Sequence, residues 1–106
     1  MNRQEAVALL QKHVSSDWLR KHCLATATIM ERLAKRLGQD ADAWWITGLI
    51  HDLDFDLTQD PALHGLKAAE ILRARGAPEQ MVQAVLAHNA EGLGLQAAEV
   101  PVRVPV

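Results

Sequence analysis

The stretch GLIHDLDFD, residues 48–56, places His51 beside Asp52 in the most hydrophobic part of the chain, where a helix is expected to end. Neighbouring side chains in a helix diverge by about 100°, so two adjacent residues reach one atom only from a last turn that a loop follows. Burying Asp52 without a cation would cost free energy or raise the pKa of its carboxyl group. The stretch therefore predicts a helix end that holds a cation.

Apolar residues recur at helical spacing on both sides of this stretch, and the interruptions fall at Ser, Asp, Gly and Pro. The pattern predicts an all-α fold, a bundle of about five helices without strands. Asp40 is expected to open the third helix, and Gly38 and Gly76 to close the second and the fourth. Residues 54–61 are predicted to form a polar loop. The five expected helices span about residues 6–14, 18–37, 40–50, 62–75 and 78–88.

The composition is typical of one globular domain, with 106 residues of which 49% are hydrophobic, and a net charge of −2. The basic residues are scattered, so we expect no binding to a nucleic acid polymer. No segment is apolar over a membrane-spanning length, and the single Cys suits a reducing, cytoplasmic compartment. We assign residues 1–95 to a helical domain and residues 96–106, which end in VPVRVPV, to an extended tail.

Four of the five histidines lie within or beside the apolar stripes of the second to fifth helices: His22, His51, His64 and His88. His22 shares a helix face with Trp18 and Ile29, so its imidazole is expected to point into the protein. A lone inward His is more often a hydrogen-bonded core residue than a ligand. Four of them with an adjacent Asp indicate a metal site, since imidazole and carboxylate suit Mn, Fe, Co, Ni or Zn, and one Asp can bridge two ions.

These residues stand in four ordered blocks: a His on one helix, LIHDLD at the end of the next, then HGLKAAEIL and VLAHN. The blocks resemble the HD-domain superfamily of metal-dependent phosphohydrolases, in particular its small stand-alone members, over roughly residues 4 to 95. The resemblance implies that His22 is the first metal ligand and that His51 and Asp52 form the His-Asp dyad. It also implies that His64 and His88 hold a second ion, which Asp52 bridges.

The resemblance implies hydrolysis of a small phosphorylated metabolite or nucleotide by a water molecule activated on one or two divalent transition-metal ions, with Asp52 at the catalytic centre. Phosphate also needs a positive partner. Lys67 follows His64 by three residues near a helix N-terminus and is the first candidate, before Arg20 and Lys21. A solvated surface charge is the competing interpretation for each of these cations.

Asp54 and Asp56 follow the dyad directly. Each could hydrogen-bond a ligand His or position a water molecule, and each could equally cap the loop. The sequence leaves these alternatives open.

The chain departs from the superfamily at its C-terminal end. The superfamily closes its metal site with a further Asp on a later helix, whereas this chain has no Asp after Asp60, and Glu91 and Glu99 are its carboxylates downstream of His88. Three explanations are open. The chain is a shortened or frame-altered version of a longer protein, or its metal site is completed by Glu91, water or another subunit. Otherwise the protein is a degenerate member of the superfamily. A missing helix would also expose apolar surface and favour a homodimer.

Three functions follow from these observations. The leading one is a metal-dependent phosphohydrolase. The second is a catalytically weak HD domain that serves as a ligand-binding or interaction module, and the third is a di-iron oxygenase of the HD type. Trp44 and Trp45 could line a pocket for a base, but large aromatics on so apolar a helix are usually core, so at least one is expected to be buried.

Overall fold

The computed structural model describes residues 1–58, 60 and 62–88. Within these residues the protein consists of five α-helices and has no strand, so the all-α fold class is confirmed. The predictions for Glu91, Glu99 and the tail of residues 96–106 fall outside the described residues. None of the helices in this part of the chain has the length and apolar character needed to cross a membrane. The helices are α1 (Arg3–His13), α2 (Asp17–Leu37), α3 (Ala41–Ile50), α4 (Leu66–Ala74) and α5 (Glu79–Ala87).

Local signals set the boundary between α2 and α3. Gly38 ends α2 in the left-handed conformation, with a φ of 69°, which costs a glycine little. The Asp40 carboxylate accepts a hydrogen bond of 3.0 Å from the N–H of Ala43 and so caps the start of α3. Both ends agree with the sequence prediction.

All five helices contribute to the core, and α2 and α3 pack most extensively against each other. α3 is apolar on almost all sides and is buried along its second half, as expected of a helix enclosed by others. α2 contributes one face to the core, and Gly48 of α3 packs against the backbone of α2 at Ala27. This close packing brings together the helices that carry His22 and His51. The buried residues of α2 are Leu19, Cys23, Ala27, Met30 and Ala34.

The opposite face of α2 is exposed, and here the sequence prediction was wrong. Trp18 and Ile29, which were expected to share an inward face with His22, are 59% and 58% exposed. The helix carries apolar residues on two faces, and the face against α3 is the buried one. The exposed face forms an apolar stripe, the α2 stripe, made of Trp18, Ile29, Leu33 and Leu37.

Arg3 links the first three helices. Its guanidinium group pairs with Glu31 of α2 and donates from Nε to Asp42 of α3 at 2.8 Å. It also lies 4.6 Å above the ring centroid of Trp45, a cation–π contact. Trp44 is buried, which confirms that at least one of the two adjacent tryptophans belongs to the core.

α4 begins four residues later than predicted. Residues 62–65 form a turn, in which Gly65 has a φ of 97° and immediately precedes the helix. His64 therefore lies before α4 and not on it, so the expectation that His64 and Lys67 share a helix face was wrong. The Asp54 carboxylate accepts hydrogen bonds from the N–H groups at this point and so fixes the start of the helix.

Candidate metal centre

Five side chains converge at the ends of the helices. His22 lies on α2, His51 and Asp52 directly follow α3, His64 lies in the turn before α4, and His88 directly follows α5. These are the five residues that the sequence analysis selected as metal ligands, and the structure brings all of them together.

The first triad consists of His22, His51 and Asp52. Asp52 Oδ2 lies 3.1 Å from His22 Nε2 and 3.0 Å from His51 Nε2, and the two Nε2 atoms are 3.1 Å apart. The three atoms form a nearly equilateral triangle. His51 is buried, whereas the side chain of His22 is 47% exposed, so this triad opens to solvent along the α2 side.

The second triad consists of Asp52, His64 and His88. Asp52 Oδ1 lies 3.0 Å from His64 Nε2 and 3.1 Å from His88 Nε2, and the two Nε2 atoms are 3.0 Å apart. The two triads therefore have the same shape. They share Asp52 through its two different carboxylate oxygens.

Because His51 and Asp52 follow the end of α3, both side chains can reach the same candidate metal centre. His51 keeps a helical backbone, with φ −60° and ψ −28°, and a series of turns follows it. His51 and Asp52 therefore leave the helix axis where the chain changes direction, as the sequence analysis expected. From the middle of a helix the two side chains would point about 100° apart.

Main-chain carbonyl groups orient His51 and His88. His51 Nδ1 lies 2.6 Å from the carbonyl oxygen of Gly48, and His88 Nδ1 contacts the carbonyl oxygen of Val85. A carbonyl oxygen only accepts hydrogen bonds, so Nδ1 donates and Nε2 presents a lone pair in the neutral imidazole. Both rings are thereby held with Nε2 towards Asp52.

Asp52 is the charged centre of the cluster. Burial opposes its ionisation, but when His51 and His88 carry a proton on both ring nitrogens, as they can without a metal ion, their Nε2–H groups and positive charges hold the pKa of Asp52 well below its usual range. Burial also lowers the pKa of His51, but the hydrogen bond and the charge of Asp52 outweigh it and raise that pKa above its ordinary value. The carboxylate is therefore ionised at neutral pH, as a metal ligand has to be.

The spacing of the ligand atoms fits divalent transition-metal ions. Ligand atoms that lie about 2.1 Å from one ion and at right angles around it are about 3.0 Å apart. Every side of the two triangles is between 3.0 and 3.1 Å. Each triad thus matches the arrangement of two His and one carboxylate on one face of an octahedron. The residues could hold one ion, or two ions to which Asp52 would contribute one oxygen each.

Asp54 combines the two alternatives that the sequence left open. Its carboxylate is completely buried, although the segment from residue 54 to 61 was predicted to be a polar loop. Oδ1 lies 2.7 Å from Nδ1 of His64, and Oδ2 accepts hydrogen bonds from the N–H groups of Gly65 and Ala68 at 2.6 and 3.0 Å. Asp54 therefore contacts a candidate metal ligand and caps α4 as well.

Asp56 caps a different helix. Its Oδ2 accepts hydrogen bonds of 3.0 Å from the N–H groups of both Ser15 and Ser16, directly before α2. The hydrogen bond from the Ser16 N–H is the largest of the contributions that lower the pKa of Asp56. Ser16, the residue directly before α2, makes no capping hydrogen bond to that helix through its own hydroxyl group, which instead donates to Asp56.

The three candidate cations have different surroundings. Arg20 donates from Nε to a carbonyl oxygen at the end of α1 at 2.7 Å, so it stabilises that helix end. Lys21 pairs with Asp17 on α2 at 3.1 Å. Lys67 is exposed, and its Nζ lies 3.8 Å from the carboxylate of Glu70. The role of Lys67 in binding phosphate stays a prediction.

Two exposed aromatic residues flank the centre, and the sequence analysis gave neither of them a role at the site. Trp18 lies one turn before His22 on α2, and its ring meets that of Phe55 edge to face with centroids 5.7 Å apart. The Phe55 ring also contacts the His64 ring, with centroids 5.6 Å apart. Trp18 is 59% exposed and Phe55 is 40% exposed. The sequence did contain a signal for Trp18, because residues one helical turn apart, such as Trp18 and His22, lie on the same face of a helix.

A cleft of about 380 Å³ lies away from these residues, between the start of α3 and α5. Its lining includes Asp40, Trp44, Pro78 and Met81, and none of the five candidate ligands. Asp40 is already used as the cap of α3. The chemistry of the donor set, and not the size of a cleft, therefore identifies the candidate functional site.

The fold and the site together define an all-α protein with a candidate metal centre of four His and one Asp. A family model for the HD domain matches residues 19–104, and the chain belongs to this family. The superfamily comprises metal-dependent phosphohydrolases, and HD domains bind divalent metals. Searches of curated proteins and of solved structures found no match.

Proposed function

We propose that the protein is a metal-dependent phosphohydrolase that acts on a small phosphorylated metabolite or nucleotide. The observation that carries this proposal is the position of Asp52, whose two oxygens belong to two different triads of ligand atoms. Membership of the HD-domain family supports the class of reaction. Two groups of ligand atoms on either side of Asp52 suit phosphate chemistry, because two bound ions would supply positive charge for both the attacking and the leaving oxygen.

A divalent ion in such a centre polarises the phosphoryl oxygen and lowers the pKa of a bound water molecule towards neutrality. The residues of the chain provide orientation and access. The carbonyl groups of Gly48 and Val85 hold His51 and His88 in place. His22 leaves the first triad open to solvent, so a substrate can approach from the side of α2.

Lys67 is our candidate for the cation that contacts the phosphate. Its side chain is 51% exposed, and the 3.8 Å separation from Glu70 is long for an ion pair. Exposed pairs of this kind contribute little free energy, so a phosphate can compete for the ammonium group. Lys67 also lies in the first turn of α4, where the helix dipole favours anions.

The exposed aromatic pair supports a substrate with a planar ring, such as a nucleotide. Phe55 contacts the ring of His64 in the second triad, and Trp18 contacts Phe55, so both exposed rings lie near the candidate metal centre. Stacking of a base on an aromatic side chain is worth about 1–3 kcal/mol. The proposal therefore places the phosphate at Asp52 and the ring of the substrate against Trp18.

The proposal extends to the setting of the protein. We propose a cytoplasmic protein that binds neither a nucleic acid polymer nor a membrane. The α2 stripe exposes Ile29, Leu33 and Leu37 beyond Trp18, and a second copy of the chain would cover these three residues in a homodimer and leave Trp18 open. Sedimentation velocity over a range of protein concentrations tests this last point.

The decisive experiment combines metal analysis with a phosphatase screen. The protein is purified without chelator, its metal content is measured by inductively coupled plasma mass spectrometry, and Mn, Co, Ni, Fe and Zn are each added to the metal-free form. We expect release of inorganic phosphate from phosphomonoesters that depends on the metal and is absent from Asp52→Asn. Asp56→Asn is the matched control, because its carboxylate caps α2 and contacts no candidate ligand.

Two other functions have distinct outcomes in the same experiment. A centre that can hold two ions also suits a di-iron oxygenase, which would show iron-dependent oxygen consumption and no phosphate release. The exposed α2 stripe suits a catalytically weak interaction module, which would show neither activity in the metal-loaded protein. Either outcome would replace the phosphohydrolase proposal.

A further inference from the structure

Asp54 is 0% exposed, although it lies in a turn and only two residues after Asp52. A buried carboxylate is costly unless it accepts hydrogen bonds, so its partners indicate what the position does. Its two oxygens have different partners. Oδ2 accepts from the N–H groups of Gly65 and Ala68 at the start of α4, and Oδ1 lies 2.7 Å from Nδ1 of His64.

The contact with His64 fixes the position of a proton. A carboxylate accepts hydrogen bonds and does not donate them, so the proton between the two groups belongs to His64 Nδ1. The other ring nitrogen, Nε2, then presents its lone pair to the second triad, where it lies 3.0 Å from Asp52 Oδ1 and 3.0 Å from His88 Nε2. This is the tautomer in which a His binds a metal ion through Nε2.

The position of His64 in the fold explains why a side chain is needed here. His51 and His88 follow the C-terminal ends of their helices, where unpaired carbonyl groups face them from three residues earlier. His64 precedes the N-terminal end of α4, where the unpaired groups are N–H donors. These donors cannot accept the proton of Nδ1. Asp54 satisfies the donors with one oxygen and accepts from the imidazole with the other.

We propose that Asp54 is a positioning residue, which sets the tautomer and orientation of His64 as a ligand of the second metal ion. The inference rests on the metal centre of the proposed function and adds a residue to it. Because the same carboxylate caps α4, the start of this helix and the second ion are stabilised together. Occupancy of the first triad does not depend on Asp54, since its ligands lie on α2 and at the end of α3.

The variant Asp54→Asn tests the direction of the hydrogen bond. Its amide oxygen can still accept from Gly65 and Ala68, but the amide N–H₂ then faces His64 Nδ1, which has to accept and loses its proton. The proton moves to Nε2, which then has to lose it before it can bind a metal ion. We expect the affinity for the second ion to fall about 10- to 100-fold while the first ion is retained. Metal content after equilibrium dialysis against a series of Co²⁺ or Mn²⁺ concentrations measures the affinity for each of the two ions.

A second measurement does not depend on metal or activity. Long-range ¹H–¹⁵N correlation spectra of the metal-free wild-type protein report which nitrogen of His64 carries the proton. We expect Nδ1 in the wild type and in Asp56→Asn, a matched change two residues later, and Nε2 in Asp54→Asn. If the phosphatase screen fails but this pattern is found, the proposed function is wrong and the role of Asp54 stands.

The inference is overturned by any of three results. These are a proton on Nε2 of His64 in the metal-free wild type, unchanged affinity for two ions in Asp54→Asn, and loss of both ions together in Asp54→Asn. The wild-type spectrum decides the question even if Asp54→Asn fails to fold.

Discussion

A Cβ atom added to Gly48 would lie 3.0 Å from the Cα atom of Ala27. At this point α2 and α3 touch through their backbones, one turn before His51 on α3 and little more than one turn after His22 on α2. The close approach determines how far apart the two histidines of the first triad stand.

Gly48→Ala should push α2 and α3 apart. The new methyl group would also meet Met30 at 3.0 Å, and overpacking of this kind costs about 1–3 kcal/mol of unfolding free energy. We expect lower stability in urea and weaker binding of the first ion. Gly76→Ala is the control, because a Cβ atom added there would meet no atom within 4 Å. The φ of 73° at Gly76 strains an alanine, so we expect lower stability but unchanged metal affinity. Unchanged metal affinity in Gly48→Ala would contradict this account.

Replacing the candidate ligands should remove the ions selectively. We expect His22→Ala to lose the first ion and keep the second, and His88→Ala to do the reverse. The double variant with His51→Ala and Asp52→Ala should lose both, because Asp52 supplies an oxygen to each triad. Metal content by mass spectrometry measures the result, with His13→Ala of α1 as the control. Retention of both ions by the double variant would show that the ligand assignment is wrong.

Asp56 should stabilise the protein in a pH-dependent manner. Hydrogen bonds from Ser16 and Ser15 lower its folded-state pKa, so its contribution is complete above the unfolded-state pKa of about 3.9 and is lost as the pH falls through the folded-state value. Asp56→Asn should cost about 1 kcal/mol near neutral pH, because the side chain is only partly buried and solvent screens the contact.

Urea titrations of wild type and Asp56→Asn at neutral and acidic pH measure this difference, which should shrink below a pH of about 4. Asp17→Asn is the control, since its carboxylate is 82% exposed and pairs with Lys21 on the surface. A difference that grows towards acid would have the wrong sign.

Cys23 should be unreactive in the folded protein. It is 0% exposed, and burial, with a further contribution from the charges of Asp52 and Asp56, raises the pKa of its thiol to about 12. Ellman's reagent at mildly alkaline pH should therefore label the thiol only in unfolded molecules. The labelling rate should rise with urea in parallel with unfolding. Fast labelling of the native protein would place the sulfur at the surface instead.

Trp18→Ala tests the substrate side of the proposed function. We expect KM for a nucleoside monophosphate to rise about tenfold, in keeping with the loss of one stacking contact, while KM for a phosphomonoester without a ring stays unchanged. Ile29→Ala is the matched control, because Ile29 is 58% exposed on the same α2 stripe but lies about three turns further along the helix. If the two variants changed KM equally for both substrates, Trp18 would not be a stacking partner of the substrate ring.

Most of the fold followed from local chemistry. Gly38 and Asp40 mark their helix boundaries because a left-handed C-cap and an N-cap carboxylate act within a few residues of sequence. The convergence of the five candidate ligands agrees with the ordered blocks of the sequence, since each residue stands at or beside a helix end or on the helix facing it. The helix boundaries required no knowledge of how the helices pack, whereas the full set of five ligands was implied by the resemblance to the HD-domain superfamily.

The remaining errors concern tertiary contacts. α2 is apolar on two faces, and its periodicity could not tell that Trp18 and Ile29 face solvent while Leu19 faces α3. Asp54 looked like a loop residue because its three donors come from a turn and a helix that begin about ten residues later. The start of α4 was misplaced for the same reason, since the cap that sets it is distant in sequence.

The order of the ligands along the chain has a consequence for biosynthesis. Every ligand atom of the first triad belongs to residues 22–52, whereas His64 and His88 come later. Because a chain emerges from the ribosome with its N-terminal part first, the three ligand residues of the first triad are synthesised and can meet before α4 and α5 leave the exit tunnel. The later helices would then bring His64 and His88 to an Asp52 that the first triad already holds in place, so the order of synthesis makes the first triad a template for the second.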